Sequence, residues 1–398
     1  MLGLLLTGIA PLHAGKKKKE EAAPPPKPNI LDVLDYSKIV WPNPPAITRI
    51  RYLNYFSAEK LRSQTAKKEK VSWMDRVSGV ATGETRKDKP RFQLVVPYGV
   101  AVDSEGRVYV ADSKVRAVFI FDTQTKDLQL LKNGSDARFG WITGLTIDDS
   151  DRLFVADSSM KRVLVFTPDH KLEGSITEGM VSPGGMAIDN ENRYLYVPDA
   201  ELDQVLVYDA DPPYKLLRRM GTGSKDHSLT APGEFAKPTN VAVDKDGNLY
   251  VSDTLNFRVE VFDAEGHFLR TFGKAGDGPG YFARPKGIAI DGDGHVWVAD
   301  GMQNRVQVFT PEGKLLIWMG GAGKLPGQFS ALAGLAIDKD NRVFTSEQYP
   351  GRVQMFQYIN DADAMAERDQ RVAEMKEKNS GVKGRAVASG NVPEPAAK

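Results

Sequence analysis

The sequence predicts an all-β protein, a six-bladed β-propeller with a flexible N-terminal tether and a short C-terminal helix. A pattern of short apolar strands recurs six times in phase between residues 97 and 358. The Asp that ends the first strand of each copy returns after about 45 residues, a period typical of repeated supersecondary units. Turn residues separate the strands, so one copy can bury its two faces only against other copies. Closing the row into a ring removes its exposed ends.

The first copy shows the elements of the repeat, with strands predicted at 99–103, 108–112 and 118–121. The first strand of every copy has a small residue at its centre. This fits strands that converge on the axis of a propeller, where a larger side chain would overpack. The small residues are Ala101, Thr146, Ala187, Ala242, Ala289 and Ala336.

The last blade is predicted to close with a strand from the other end of the chain. Copies three to five end in an additional outer strand, at 215–220, 267–272 and 314–319, whereas the sixth copy runs directly into a charged segment. Residues 49–56 have the matching apolar alternation. We therefore expect them to supply the outer strand of blade six, which removes an open sheet edge.

The first acidic residue of each copy is predicted to begin a hairpin. Segments 244–247 and 291–294 resemble part of a calcium-binding loop, but they lack the other ligands of an EF-hand. Because nearly the same turn occurs in all six copies, the hairpin interpretation is favoured.

The second acidic residue is followed five positions later by Arg in four copies. We interpret these residues as a clasp that satisfies backbone groups of the loops, with a ring of charges for substrate as the alternative. The pairs are Asp157/Arg162, Asp253/Arg258, Asp300/Arg305 and Glu347/Arg352.

The residue pattern of the repeat resembles that of the NHL family, most closely at 237–258 and 284–305. The resemblance implies a six-bladed propeller. The family includes bacterial exported proteins, RNA-binding regulators and a peptide-amidating lyase. The resemblance covers the repeats only, and one scaffold hosts unrelated activities.

The amidating lyase of that family holds zinc with histidines at its channel, and zinc needs three or four converging ligands. The positions that open the six inner strands here cannot supply an imidazole: Gly99, Gly144, Gly185, Asn240, Gly287 and Gly334. His170, His267 and His295 are predicted on the face opposite His227. The sequence thus predicts no metal, no cofactor and no catalytic nucleophile, and we do not transfer the lyase chemistry.

Four segments flank or interrupt the repeats. Residues 1–14 are predicted to be a signal segment and 15–45 a Lys/Pro-rich disordered tether. The propeller is predicted over 46–358, with 46–56 as the closing strand and 57–96 as an insertion. Residues 359–398 are predicted to form a charged helix and a disordered tail. An exported, periplasmic or envelope-associated protein is expected, and contact with a membrane only through the N-terminal segment.

Charge argues against nucleic acid as the partner. The formal net charge is +1, and Lys16–Lys19 concentrate positive charge outside the ring. A propeller without a basic face lacks the electrostatic attraction on which nucleic-acid binding depends.

One face of the ring is predicted to carry apolar loop tips. Each loop between the second and third strands has an apolar residue soon after its acidic residue, and His227 lies in the longest connector on the same face. These tips either pack between blades or form a docking surface. The main functional interpretation is a non-catalytic exported scaffold that binds a protein partner, and the alternative is a propeller enzyme of lyase or lactonase type. The proposed binding residues are Met160, Leu202, Leu255, Phe257, Met302, Tyr349 and His227.

Overall fold

The computed structural model describes residues 34–57, 93–132 and 138–373. These residues form six antiparallel sheets, and the predicted six-bladed propeller is confirmed. The inner strands of neighbouring sheets contact one another around the full ring, including the sixth with the first. We number the blades one to six along the chain and call their strands inner, second, third and outer.

Strand bounds repeat closely from blade to blade, because turns of similar length separate them. The inner strands are Pro97–Val102, Ile142–Ile147, Ala187–Asp189, Pro238–Val243, Pro285–Ile290 and Leu332–Ile337. The second strands are Arg107–Asp112, Leu153–Asp157, Tyr194–Asp199, Leu249–Asp253, Val296–Asp300 and Arg342–Glu347. The third strands are Ala117–Asp122, Arg162–Phe166, Gln204–Asp209, Arg258–Phe262, Arg305–Phe309 and Arg352–Tyr358. The outer strands of the first five blades are Leu128–Leu131, Leu172–Ile176, Leu216–Met220, Phe268–Phe272 and Leu315–Gly320.

Blade six closes with chain from the other end of the sequence, in the position predicted above. Ile50–Phe56 pairs antiparallel with Arg352–Tyr358, with Tyr52 opposite Phe356. Both rings are buried, and their centroids lie 5.3 Å apart. The two ends of the propeller therefore share one sheet and one hydrophobic core.

The C-terminal part of the predicted tether differs from the expectation. Tyr36–Lys38 form a 3₁₀ turn, and Val40–Trp41 add a fifth strand to blade six beside Ile50–Phe56. The physical reason is apolar burial, because Ile39 and Trp41 pack against the core of blades five and six. Residues 15–33 of the predicted tether, the predicted signal segment, most of the predicted insertion and the predicted tail from residue 374 onward lie outside the described residues.

The two remaining helical elements are short. Thr254–Asn256 form a 3₁₀ turn, and the charged helix predicted after blade six is present over residues 361–373. Within the described ranges, no helix is long and apolar enough to cross a membrane.

The first acidic residue of the repeat begins a hairpin, as predicted. Asp291, for example, accepts hydrogen bonds from the backbone N–H groups of Asp293 and His295 at 3.0 and 2.9 Å. It also accepts from His295 Nδ1 and from Trp297 Nε1. These carboxylates hold the hairpin end of the inner strands, opposite the end described next.

Candidate active site at the mouth of the ring axis

A cavity of about 140 Å³ lies on the axis, where the inner strands begin. All six blades contribute to its wall, so a bound molecule would contact the whole ring. We call it the axial pocket. Its lining residues are Tyr98, Thr143, Ser182, Pro183, Gly184, Gly185, Ala200, Thr239, Asn240, Lys286, Ala333 and Gly334.

Glycines at the strand openings set the width of this pocket. A Cβ on Gly144 would lie 2.1 Å from the carbonyl oxygen of Gly184, and one on Gly334 would lie 2.2 Å from that of Tyr98. The backbones of neighbouring blades therefore touch around most of the ring. Blade four departs from the pattern, because Asn240 stands at this position and its carboxamide lies over Gly185.

Lys286 is the charged residue among the side chains that line the pocket. It is half-buried, and within the described ranges its ammonium group has no hydrogen bond or ion pair. Burial lowers the pKa of Lys286, the nearby positive charge of Arg284 lowers it further, and the carboxylate of Asp300 opposes both. A half-buried cation without a carboxylate partner is unusual for a structural role, and it leaves a donor free for a ligand.

Four hydroxyl groups near the mouth are bonded to neighbouring blades. Thr143 Oγ1 donates to the carbonyl of Pro183 at 2.8 Å, and Thr254 Oγ1 donates to that of Pro285 at 2.7 Å. Ser113 and Ser346 make equivalent bonds to the carbonyls of Ile142 and Tyr98. These hydroxyls join the blades and are poor candidates for a nucleophile.

The second acidic residue of the repeat acts as a backbone clasp. Asp112 accepts hydrogen bonds from the N–H groups of Val95 and Val96, and Asp300 accepts from those of Ala283 and Arg284. Both side chains are fully buried. Each clasp thereby fixes the incoming connector two residues before the pocket residue of its blade, which is Tyr98 in blade one and Lys286 in blade five.

The arginines that follow the clasps behave less uniformly than their spacing suggested. Arg258 Nε lies 2.9 Å from Asp253, and Arg352 Nε lies 2.8 Å from Glu347. Arg162 donates instead to the carbonyl of Arg138. The hydrogen bond from this arginine to a loop carbonyl therefore recurs in more copies than its ion pair with the acidic residue does.

His227 has a structural partner. Its Nδ1 lies 2.7 Å from a carboxylate oxygen of Asp203, which is buried and also accepts from the N–H of Lys237 at 2.8 Å. This contact ties the longest connector to the loop of blade three. His227 is not among the residues that line the axial pocket.

The predicted apolar tips divide into two groups. Leu202, Phe257 and Val115 are half-buried and pack against the cores between blades. Four others are exposed: Leu255 at 39%, Met160 at 49%, Tyr349 at 55% and Met302 at 70%. Whether these four bind a ligand or partner stays a prediction.

The residues at the mouth fit a zinc site poorly, because Asn240 is the side chain there closest in type to a metal ligand and no imidazole, thiolate or carboxylate lines the pocket. Within the described ranges, one group of three possible ligands converges, formed by Asp263, Glu265 and His267. It lies at an outer hairpin turn on the opposite face, where such exposed groups are common without a metal.

Sequence reasoning missed Lys286, because it considered the position that follows in each inner strand. The missed signal is a comparison between copies. The equivalents of Lys286 are Tyr98, Thr143, Gly184, Thr239 and Ala333, so one blade alone carries a charge there. Lys286 and Asn240 together offer two N–H donors to an oxygen that becomes negative during a reaction.

Comparisons with known proteins agree with the fold. A family model described as the SMP-30/Gluconolactonase/LRE-like region matches residues 234–319, which include blades four and five. Over 44 residues the chain is 43% identical to Protein brain tumor of Drosophila melanogaster, a stretch of 11% of this chain and 4% of that protein.

Three solved structures share the fold. A gluconolactonase from Xanthomonas campestris is 19% identical, with a TM-score of 0.51 over 67% of this chain and 89% of that chain. A streptogramin B lyase is 13% identical, with a TM-score of 0.50 over 67% and 94%. A protein of unknown function from Bacteroides thetaiotaomicron is 15% identical, with a TM-score of 0.54 over 66% and 70%.

These findings correct the main functional interpretation drawn from the sequence. A non-catalytic scaffold was expected, yet the matching family model is named for a lactonase and the similar structures include a lactonase and a lyase. The alternative interpretation, an enzyme at the channel mouth, is favoured instead. The protein is thus a six-bladed propeller in which residues 234–319 are similar to the SMP-30/Gluconolactonase/LRE-like region.

Proposed function

We propose that this protein is an enzyme that opens a cyclic ester at the axial pocket. The observation that carries the proposal is Lys286, a half-buried cation with a lowered pKa and free donors at the centre of the ring. The match of residues 234–319 to a lactonase-containing family model supports it, because these residues include both Lys286 and Asn240.

The chemistry follows from where negative charge develops. The oxygen of a water molecule bonds to the lactone carbonyl carbon and gives a proton to solvent. Lys286 and Asn240 donate N–H groups to the carbonyl oxygen while it is negative. The ring C–O bond then breaks, and Lys286 gives a proton to the leaving oxygen and recovers one from solvent.

A lyase is the second candidate, favoured by the similarity to streptogramin B lyase. In an elimination next to a carbonyl, the negative oxygen belongs to an enolate, and the same two donors would stabilise it. The products separate the two reactions, because hydrolysis adds the mass of one water to the product and elimination does not.

The test is turnover of a panel of lactones and linear depsipeptides by the full chain. Lys286→Met is expected to lower kcat/KM by about 100-fold or more without changing the melting temperature, since one preorganised donor to an oxyanion contributes on that scale. Lys314→Met is the matched control, because Lys314 is an exposed lysine of the same blade. Wild-type turnover by Lys286→Met would overturn the assignment.

The pH profile adds a second measurement. The ammonium form of Lys286 is the active one, and its pKa lies below the usual 10.5. Activity is therefore expected to fall as pH rises, with a midpoint below 10.5, and Lys286→Met should lack this alkaline limb.

Two further parts of the proposal concern the repeat and the location of the protein. We propose that the repeats are of NHL type, supported by their residue pattern, and that the protein is exported from the cytoplasm, supported by residues 1–14.

A further inference from the structure

Beside the axial pocket lies an exposed apolar surface that the reaction itself does not require. Tyr98 lines the pocket, and its ring packs edge-to-face on Trp141, with centroids 6.1 Å apart. Met160 continues the surface, because its Cγ lies 3.0 Å from the Cβ that residue 140 would carry. We call Tyr98, Trp141 and Met160 the aromatic shelf.

The backbone of Trp141 is fixed by hydrogen bonds, although the residue is 40% exposed. Its backbone N–H donates to Ser159 Oγ at 2.8 Å, and its carbonyl accepts from the N–H of Ser158 at 3.0 Å. Ser159 Oγ in turn donates to the buried clasp Asp157 at 3.2 Å. A ring presented on a fixed backbone loses little conformational entropy when it binds a ligand.

The shelf and the donors lie on different sides of one small cavity. Tyr98 and Trp141 belong to blades one and two, whereas Asn240 and Lys286 belong to blades four and five. A molecule whose carbonyl reaches Lys286 would extend over the shelf with the substituent on the other side of its ring. Displacing water from the shelf is favourable when that substituent is apolar, because a polar one would lose its own hydration without a partner there.

We propose that the substrate of the axial pocket carries an aryl or long alkyl substituent that binds on the aromatic shelf. This proposal rests on the proposed cyclic-ester chemistry for its reactive end, but the shelf itself is a binding claim. Continuity with the pocket identifies the occupant, since Tyr98 belongs to both. Affinity is expected to grow by up to about fourfold for each methylene group buried on the shelf.

The experiment compares an unsubstituted lactone with its phenyl- and octyl-substituted forms. Wild-type kcat/KM is expected to be at least about tenfold higher for the substituted forms, since an aromatic ring buried against two others contributes on this scale. Trp141→Ala should remove that preference, so that the ratio of kcat/KM for the substituted forms to that for the unsubstituted lactone falls to about one. Trp318→Ala is the matched control, because Trp318 is 46% exposed on the outer strand of blade five.

A second measurement separates failure of the shelf from failure of the chemistry. Titration calorimetry with a phenyl-substituted lactam, which resists hydrolysis, reports binding without turnover. Its Kd should rise about tenfold in Trp141→Ala and remain unchanged in Trp318→Ala. Met160→Ala replaces Trp141→Ala if the latter unfolds.

The outcomes are distinct. If wild type turns over no lactone yet binds the lactam through Trp141, the proposed reaction fails and the shelf stands. If the lactam binds equally to wild type, Trp141→Ala and Met160→Ala, the shelf proposal is overturned.

Discussion

Blades four and five are built from the same repeat, yet they place charge differently. In blade four the extra charge, Glu260, is buried between the third strand and the connector. Blade five has Gln307 in that position and instead carries Lys286 in the axial pocket, where blade four has Thr239. Glu260 accepts a hydrogen bond from the Gly233 N–H and contacts Arg258 of its own blade, whereas the ammonium group of Lys286 has no hydrogen-bond partner among the residues that the structure describes. Position within the repeat, more than residue type, separates structural from functional charge.

A neighbouring difference makes room for the lysine. In blade four, the side chain of Thr254 occupies the corresponding space, and its hydroxyl group is hydrogen-bonded to that of Thr239 at 2.8 Å. Gly301 is the equivalent residue of blade five, and a Cβ there would lie 2.8 Å from the carbonyl oxygen of Leu332 and 3.3 Å from both Cδ and Cε of Lys286. The missing side chain therefore leaves the space along which the lysine chain lies.

The largest expected effect concerns the clasp. Asp253→Ala removes one of the two carboxylates that Arg258 contacts, the other being Glu260, and it removes the acceptor of the Ala236 N–H, so the free energy of unfolding should fall by about 3 kcal/mol. Asp300→Ala is the control in blade five. Its carboxylate bonds only N–H groups of the backbone, so a loss of at most about 2 kcal/mol is expected in urea unfolding. Equal losses would contradict the difference between the blades.

The second prediction exchanges the buried charge. Burial raises the pKa of Glu260 to about 7 from its usual 4.5. The folded state therefore binds the proton more tightly, and this stabilisation is full below pH 4.5 and lost as pH rises through about 7. Glu260→Gln should increase the free energy of unfolding by about 2 kcal/mol at pH 8 and leave it nearly unchanged at pH 4.

The reciprocal variant controls that experiment. Gln307→Glu places the same charge in blade five, where Gln307 Oε1 accepts from the Gly280 N–H and Nε2 donates to the Tyr281 carbonyl. It should destabilise the protein at pH 8 more than at pH 4. An effect that does not change with pH in either variant would contradict burial as the cause.

The smallest expected effect transfers the threonine of blade four to blade five. Gly301→Thr should displace the Lys286 side chain and lower kcat/KM by about tenfold, the change that corresponds to about 1.4 kcal/mol of transition-state stabilisation. The reverse variant, Thr254→Gly, loses its hydroxyl bonds and about 1 kcal/mol of stability but should retain turnover. Turnover reduced equally by both variants would indicate a general disturbance of the mouth.

The parts of the fold that depend on local pattern could be predicted from the sequence. The six copies, the hairpins begun by residues such as Asp291 and the outer strand from 49–56 depend on alternation and turn chemistry. The exposure of the apolar loop tips was harder to predict, because Leu202 and Met160 occupy equivalent loops and yet differ in burial. Burial depends on the side chains of the next blade, which no single repeat contains.

The candidate site was only partly visible for the same reason. Asn240 could be identified as the exception among the glycines at the strand openings, but Lys286 stands one position before the residues that were compared. Likewise, residues 35–41 read as part of a proline-rich tether, although Trp41 packs against blade six. Each error concerns a residue whose neighbours come from distant parts of the chain.

The sequence by itself determined the repeat, the number of blades and the strand that closes the ring, because these follow from local periodicity and from the count of copies. Only the tertiary structure decided that Lys286 has no partner among the described residues, that Gly301 makes room for it and that Trp141 stands beside the pocket. Those properties arise where six inner strands converge on one axis. The environment of a side chain there is set by five other blades, and with it the desolvation that lowers the lysine's pKa.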